Sequence, residues 1–230
     1  MKKTVLSPTP ENTSRIIKHS DFNPLTMNIG VFGLSANPPT LAHAALLLVA
    51  QKQLNWDRVF IIPNRLSPLK SESAPVAHRL NMLHLLIRDF KNEQGETLSP
   101  AHYVIDPMEI NRKTPSYMVH TLIILKNRLM RQYPQHRIKL TLIMGQDSFQ
   151  TLNQWHQWEK IIQLCDIAVV RRGNSHAVME QSTNRVCFIN TPGWQISSTA
   201  VRDAIKHGLS TEGLTTPSIR KYCDEHHLYL

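Results

Sequence analysis

The chain has 230 residues, 41% of them hydrophobic, and carries 26 Lys and Arg against 17 Asp and Glu, a formal charge of +9. That is enough chain for one globular domain with a sizeable core. No run approaches the ~18 apolar residues of a membrane span, and Lys2 and Lys3 lead into "TVLSPTPENTS" rather than an apolar leader core, so a cytoplasmic protein with no membrane partner is expected.

Residues 1–26 are polar and hold Pro8, Pro10 and Pro24, so they read as a flexible extension preceding a single domain over 27–230. From Met27 the pattern alternates. "NIGVF" is a short strand, "LAHAALLLVAQKQL" a helix, and "RVFIIP" a strand stopped by Pro63. "NRLSPLKSESAP" is a turn-rich loop. "VAHRLNMLHLLIRDF" is an amphipathic helix with Leu80, Leu83, Leu86 and Ile87 on one face, by their helical spacing. "YVID" is a strand, and "SYMVHTLIILKNRLMRQY" a helix capped by Ser116, since a serine hydroxyl satisfies a free N–H at a helix start. "RIKLTLIMG" is the most apolar strand; "WEKIIQLC", "DIAVVR" and "RVCFIN" follow as helix, strand and strand. "STAVRDAIKHG" is a short helix stopped by Gly208, and "SIRKYCDEHH" closes the chain as a helix.

Strands alternating with helices, and strands apolar on both faces, give an α/β fold with a parallel sheet covered on each side. Ligands of such sheets sit outside the carboxyl ends of the strands. The unusual loops all follow strands, at 33–40, 64–75, 145–154 and 191–198, so one cleft can collect them. Cys165, Cys187 and Cys223 are an odd, widely spaced set without C-x-x-C. They read as free thiols in a reducing compartment, not as a disulfide frame or a zinc site.

Four stretches carry candidate chemistry. In "GLSANPPTLAH", Pro38 and Pro39 extend the chain, Thr40 is placed to cap the next helix, and His43 falls in its first turn. A helix N-terminus attracts anions, though a T-x-x-H alone also fits a plain cap beside an ordinary histidine. In "ISSTAVR", Ser197, Ser198 and Thr199 crowd a second helix start with Arg202 one turn on. That is either a phosphate-binding arrangement or ordinary capping. In "GQDSFQTLNQWHQW", Asp147 follows the most apolar strand, where a carboxylate can accept both ribose hydroxyls. Trp155 and Trp158 can stack on a flat heterocycle or pack in the core. In "SPLK", Lys70 suits a departing phosphate chain or simply solvent. The positive charge favours anionic partners, nucleic acid or phosphorylated small molecules. No long basic run or RNA-binding signature accompanies it, so nucleic acid is the less favoured of the two.

Taken together, the order and spacing resemble the nucleotidyltransferase superfamily with the H/T-x-G-H signature, and within it the bacterial nicotinate-nucleotide adenylyltransferase family. The resemblance runs from Met27 to the C-terminus. It rests on "GVFGLSANPPTLAH", "HRLNML", "EINRKTPSY", Thr121–Leu122, "GQDSFQTLNQWHQW", "AVVRRG", "ISSTAVR" and "IRKYCDEHHLY". The chain departs from the family pattern at Leu34, at Ala36-Asn37, at Thr40 and Ala42 of the signature, in "SPLK", at Met118 and at His156. The resemblance implies a Rossmann-like doubly wound parallel sheet with a small C-terminal helical part. It implies transfer of AMP from ATP to nicotinate mononucleotide, with Mg²⁺ accompanying ATP, as a step of NAD biosynthesis. Thr40, His43, Lys70 and Arg202 would be catalytic. Gly33, Leu34, Ser35, Ile196, Ser197 and Ser198 would bind ATP. Asp147, Trp155, Met118, His156 and Thr121 would bind the mononucleotide. No metal ligands are implied, and an oligomer is compatible. Met118 and His156 keep nicotinamide mononucleotide or another phosphorylated acceptor open, and the altered glycine-rich loop keeps open a non-catalytic nucleotide or RNA binder.

Overall fold

The computed structural model describes residues 25–65, 74–112, 115–173, 179–183, 185–192 and 196–230. Its strands are β1 (Leu25–Leu34), β2 (Arg58–Pro63), β3 (Tyr103–Ile105), β4 (His136–Gly145), β5 (Asp166–Gly173), β6 (Met179–Thr183) and β7 (Val186–Pro192). Its α-helices are α1 (Leu41–Leu54), α2 (Val76–Asp89), α3 (Met118–Gln132), α4 (Gln146–Gln150), α5 (Trp158–Leu164), α6 (Ser198–Lys206) and α7 (Pro217–Glu225). The sheet order is β3-β2-β1-β4-β5-β7-β6. All pairings are parallel except that of β6 with β7. The chain winds outward from β1 to β3, returns to β4 on the other side of β1, and winds outward again. The expected doubly wound α/β architecture is therefore present, with a reversal between β1 and β4.

Alternation along β1 shows how the two faces are covered. Ile29 and Val31 join Val119, Leu122 and Leu125 of α3 in one core. Phe32 and Leu34 join Leu47 of α1, Leu83 and Leu86 of α2 and Val201 of α6 in the other. Successive strand side chains point to opposite faces, so a central strand must be apolar at nearly every position.

The structure corrects several sequence expectations. β1 starts at Leu25, because Leu25 and Thr26 continue the ladder against His136 and Arg137 of β4. The boundary expected at 27 thus falls inside a strand, and residues 1–24 lie outside the described residues. β6 has the sequence "MEQST", whose polar composition gives no strand signal; it is recruited by pairing along β7. The N-cap of α3 is Tyr117, because the Ser116 hydroxyl instead accepts the Arg65 N–H at 3.2 Å. On α2 the buried residues are Arg79, Met82, Leu83, Leu86 and Ile87, while Leu80 is only half-buried. α7 is capped by Thr216 with Pro217 in its first turn, not from Ser218. Gly208, at φ +66, does follow the end of α6, a left-handed position that favours glycine.

The three cysteines are free; Cys165 and Cys223 are buried and Cys187 is half-buried. Burial pushes the Cys165 thiol up to about 12 and that of Cys223 up to about 11. Thiolate is the reactive form, and at about pH 8 such values leave it below roughly one part in a thousand. Native protein is therefore expected to titrate no more than the Cys187 thiol with an aromatic disulfide reagent on the minute timescale, and all three thiols once unfolded. Fast reaction of three thiols in the native protein would contradict these burials.

Candidate active site

β1 ends at Leu34 and the chain crosses to α1 through residues 35–40. Ala36 is in the left-handed region at φ +52, and the Asn37–Pro38 bond is cis. This loop is held by distant parts of the chain. The Asn37 carbonyl accepts Arg202 Nη1 at 2.8 Å, that of Pro38 accepts the Ser198 hydroxyl at 2.8 Å, and that of Pro39 accepts the Thr215 hydroxyl at 3.0 Å. The Asn37 side-chain oxygen accepts the Ala74 N–H at 2.9 Å and the Tyr229 hydroxyl at 2.8 Å. An irregular loop persists only where its surroundings over-determine it.

The loop delivers Thr40 and His43 to the start of α1. The Thr40 N–H donates to His43 Nδ1 at 3.0 Å, and the Thr40 hydroxyl lies 2.7 Å from the same nitrogen. A backbone amide can only donate, so Nδ1 is the accepting nitrogen and the imidazole proton resides on Nε2. His43 thus offers a fixed N–H donor. Thr40 is fully buried and holds the His43 ring.

A cavity of about 750 Å³ opens outside the carboxyl ends of the strands. Phe32, Gly33 and Leu34 line it from β1, Leu142 to Gly145 from β4, Val170 from β5 and Thr191 from β7. It straddles the β1/β4 reversal, the place where doubly wound sheets take ligands. Its size fits an extended ligand of nucleotide dimensions. His43, Ser35, Asn64, Asp147, Gln154, Trp155 and His156 are also among its lining residues. Ile196 joins from the segment before α6.

Met118 also lines the cavity, and its terminal methyl fills the space above Gly33: a Cβ there would come within 2.5 Å of it. Beside it, Tyr117 stacks on His156 with ring centroids 4.3 Å apart, and His120 meets both rings edge-on. Met118, Trp155 and His156 thus all line the same cleft.

Thr40, Thr121, Ser197, Ser198 and Arg202 are not among the cavity-lining residues. The Ser197 hydroxyl caps α6, accepting the Ala200 N–H at 3.1 Å. Arg202 holds Asn37 and the Thr199 hydroxyl. Thr121 donates to Glu109 Oε1 at 2.5 Å and accepts from Arg112. Lys70 lies outside the described residues. Conversely Asn64, Glu109, Tyr117 and Gln154 line the cavity without having been expected to. Asn64 could have been found from its place directly after the strand-ending Pro63. Glu109 is nearly fully buried and is legible only through its pairing with Thr121 and Arg112.

Thr121→Val keeps the shape of that side chain and removes the donor. Leaving a buried carboxylate short of a hydrogen bond costs about 1–3 kcal/mol, so a melting temperature several degrees lower is expected in thermal denaturation. An unchanged melting temperature would show that Arg112 alone satisfies Glu109.

Residues 31–204 match the cytidylyltransferase-like family. The chain is 34% identical over 213 residues to the probable nicotinate-nucleotide adenylyltransferase of Prosthecochloris aestuarii, an alignment spanning 88% of this chain and 98% of that protein. The chain belongs to the nicotinate-nucleotide adenylyltransferase family. The corresponding protein of Albidiferax ferrireducens is 32% identical over 208 residues, covering 87% of this chain and 97% of its own length. Among solved structures, the nicotinic acid mononucleotide adenylyltransferase of Plasmodium falciparum complexed with NaAD superposes with a TM-score of 0.67. It is 21% identical and covers 88% of this chain and 97% of its own, a likeness of fold. Membership makes the chain a nucleotidyltransferase, with a role in NAD biosynthesis. Among the described residues no helix is long and apolar enough to cross a membrane, and no three His, Cys, Asp or Glu side chains are grouped to hold a metal ion.

Proposed function

We propose that the chain transfers the adenylyl group of ATP to the 5′-phosphate of nicotinate mononucleotide, giving nicotinate adenine dinucleotide (deamido-NAD) and pyrophosphate. The observation that carries this reading is the cleft at the β1/β4 reversal. A fixed imidazole, Ser35, Asn64, a tryptophan and a carboxylate all line it. The mononucleotide phosphate oxygen attacks the α-phosphorus in line; the new P–O bond forms as the bond to the bridging oxygen breaks, and that electron pair leaves on pyrophosphate. Such transfers need positioning and charge stabilisation more than covalent help. His43 Nε2–H donates to the α-phosphate oxygens. Gly33, Leu34, Ser35 and Ile196 bound the ATP side. Trp155 stacks on the pyridine, Asp147 accepts from the ribose hydroxyls, and Met118 and His156 close the ring pocket. Arg202, Ser198 and Thr40 act through the loop and ring they hold. Lys70 is assigned to the departing pyrophosphate from sequence alone.

Magnesium enters as part of the MgATP substrate, whose phosphates, with waters, supply most of its ligands. A reducing cytoplasm accords with three free thiols.

The test is pyrophosphate release from MgATP with nicotinate and nicotinamide mononucleotides side by side. Preference for the acid is expected. Preference for the amide would keep the chemistry and change the acceptor, the outcome that the apolar Met118 would then explain. Release with neither would remove the proposal.

A further inference from the structure

Arg79 is one of the largest fully buried side chains, 1% exposed, and its position is unfavourable on three counts. It lies at the start of α2, where the helix dipole disfavours a cation. Burial lowers its pKa, the effect of taking a charge out of water. Among the described residues its partners are all uncharged. Nε donates to the Ala74 carbonyl at 3.0 Å. Nη1 donates to the Ser35 carbonyl at 2.6 Å and to Asn64 Oδ1 at 3.4 Å. Nη2 donates to the carbonyls of Asn64 at 2.8 Å and Arg65 at 3.0 Å. A buried guanidinium held by neutral carbonyls carries a cost in stability, and a neutral donor would bridge those carbonyls without that cost.

What the five contacts fix is the cavity wall. β1 and β2 end side by side, with Leu34 opposite Pro63, and the Asn64 N–H donates to the Leu34 carbonyl at 3.0 Å. Just beyond, the Asn64 amide donates to the Ser35 hydroxyl at 3.2 Å. Ser35 and Asn64 both line the cavity, and Arg79 holds both from behind. We infer that Arg79 is the positioning residue of the polyphosphate wall: its fork sets Ser35 and Asn64 in place, and its charge is balanced when the phosphates of ATP occupy the cleft. This inference rests on the reading of the cleft as an ATP site. Planarity explains the choice of arginine. Its donors spread over a rigid fork that reaches four separate carbonyls, whereas a lysine ammonium is a single point.

The experiment is steady-state kinetics of Arg79→Lys and Arg79→Met, titrating MgATP and nicotinate mononucleotide separately, with melting curves with and without ATP. Arg79→Lys is expected to lower kcat about 100-fold, the scale of an ångström-sized misplacement. It should also raise the KM for ATP about tenfold and leave that for the mononucleotide within about twofold. Arg79→Met, lacking the charge as well, should also lose most of the rise in melting temperature that ATP gives the wild type. A purely structural residue predicts otherwise: both KM values unchanged, and a rate loss that follows the folded fraction. That result, or wild-type kinetics in Arg79→Lys, overturns the inference. If Arg79→Met does not fold, Arg79→Lys decides alone. An inactive wild type in the same assay removes the ATP-site reading itself, whereas an active wild type with an indifferent Arg79→Lys removes only the role of Arg79.

Discussion

His43→Ala is expected to lower kcat about 10²–10³-fold, the usual cost of removing one preorganised donor from developing charge, while MgATP still binds. The reason lies in how the ring is held. Its Nδ1 accepts the Thr40 amide, so its Nε2–H is oriented before substrate arrives and needs no rearrangement in the transition state. On the proposed reading, ATP in the ground state would keep Ser35, Asn64 and the helix start as its surroundings, so affinity should change little. Stopped-assay pyrophosphate release paired with calorimetric ATP binding checks both halves. Normal turnover in the variant would take His43 out of the chemistry. Loss of ATP binding in step with turnover would make it a ground-state contact. Thr40→Val should reproduce part of the defect, because removing its hydroxyl loosens the ring without touching the ligand.

The second large effect is expected at Trp155→Ala. Trp155 is half-buried and lines the cavity beside the Tyr117–His156 stack. Loss of an aromatic stacking surface costs about 1–3 kcal/mol. The KM for the mononucleotide should therefore rise at least about fivefold, with the KM for ATP nearly constant. Trp155→Phe should recover much of it. Separate substrate titrations read the difference. Equal rises in both KM values would assign Trp155 to packing of the 146–157 segment. The contrast with His43 is useful: one variant should act on kcat, the other on the KM of a single substrate.

How much of this was legible beforehand differs from residue to residue. His43 and Asp147 stand at a helix start and just after a strand end, where ligands gather, whereas Trp155 follows the short turn Leu152–Gln154 and is singled out only by the family resemblance. Ser197 and Arg202 were found as motif residues, but their partners were not foreseeable. The carbonyl that Arg202 holds belongs to Asn37, 165 residues away, and no local spacing encodes such a contact. Thr121 was expected at the ligand, yet it faces Glu109 from inside α3, because its helical position points into the core. Arg79 was passed over on α2 because periodicity ranks side chains by hydropathy, and an arginine on the buried face breaks the pattern. β6 was missed for a related reason: polar strand residues carry no alternation, and edge pairing supplies what their composition does not.

The sequence by itself determined the α/β class, the order of the elements and the ends of most of them. These follow from near-neighbour physics: alternation or helical periodicity of apolar residues, prolines and glycines that stop an element, and hydroxyls that cap one. It also determined which strand ends carry unusual loops. Only the tertiary structure decided where the sheet reverses, which side chains face the cleft and which stand behind it. It alone assigned the proton of His43 and brought Arg79, Arg202 and Tyr229 onto one loop. Those outcomes depend on contacts between residues far apart in the chain. Their energies arise only once the sheet has closed and water has left, so they leave no mark on local composition.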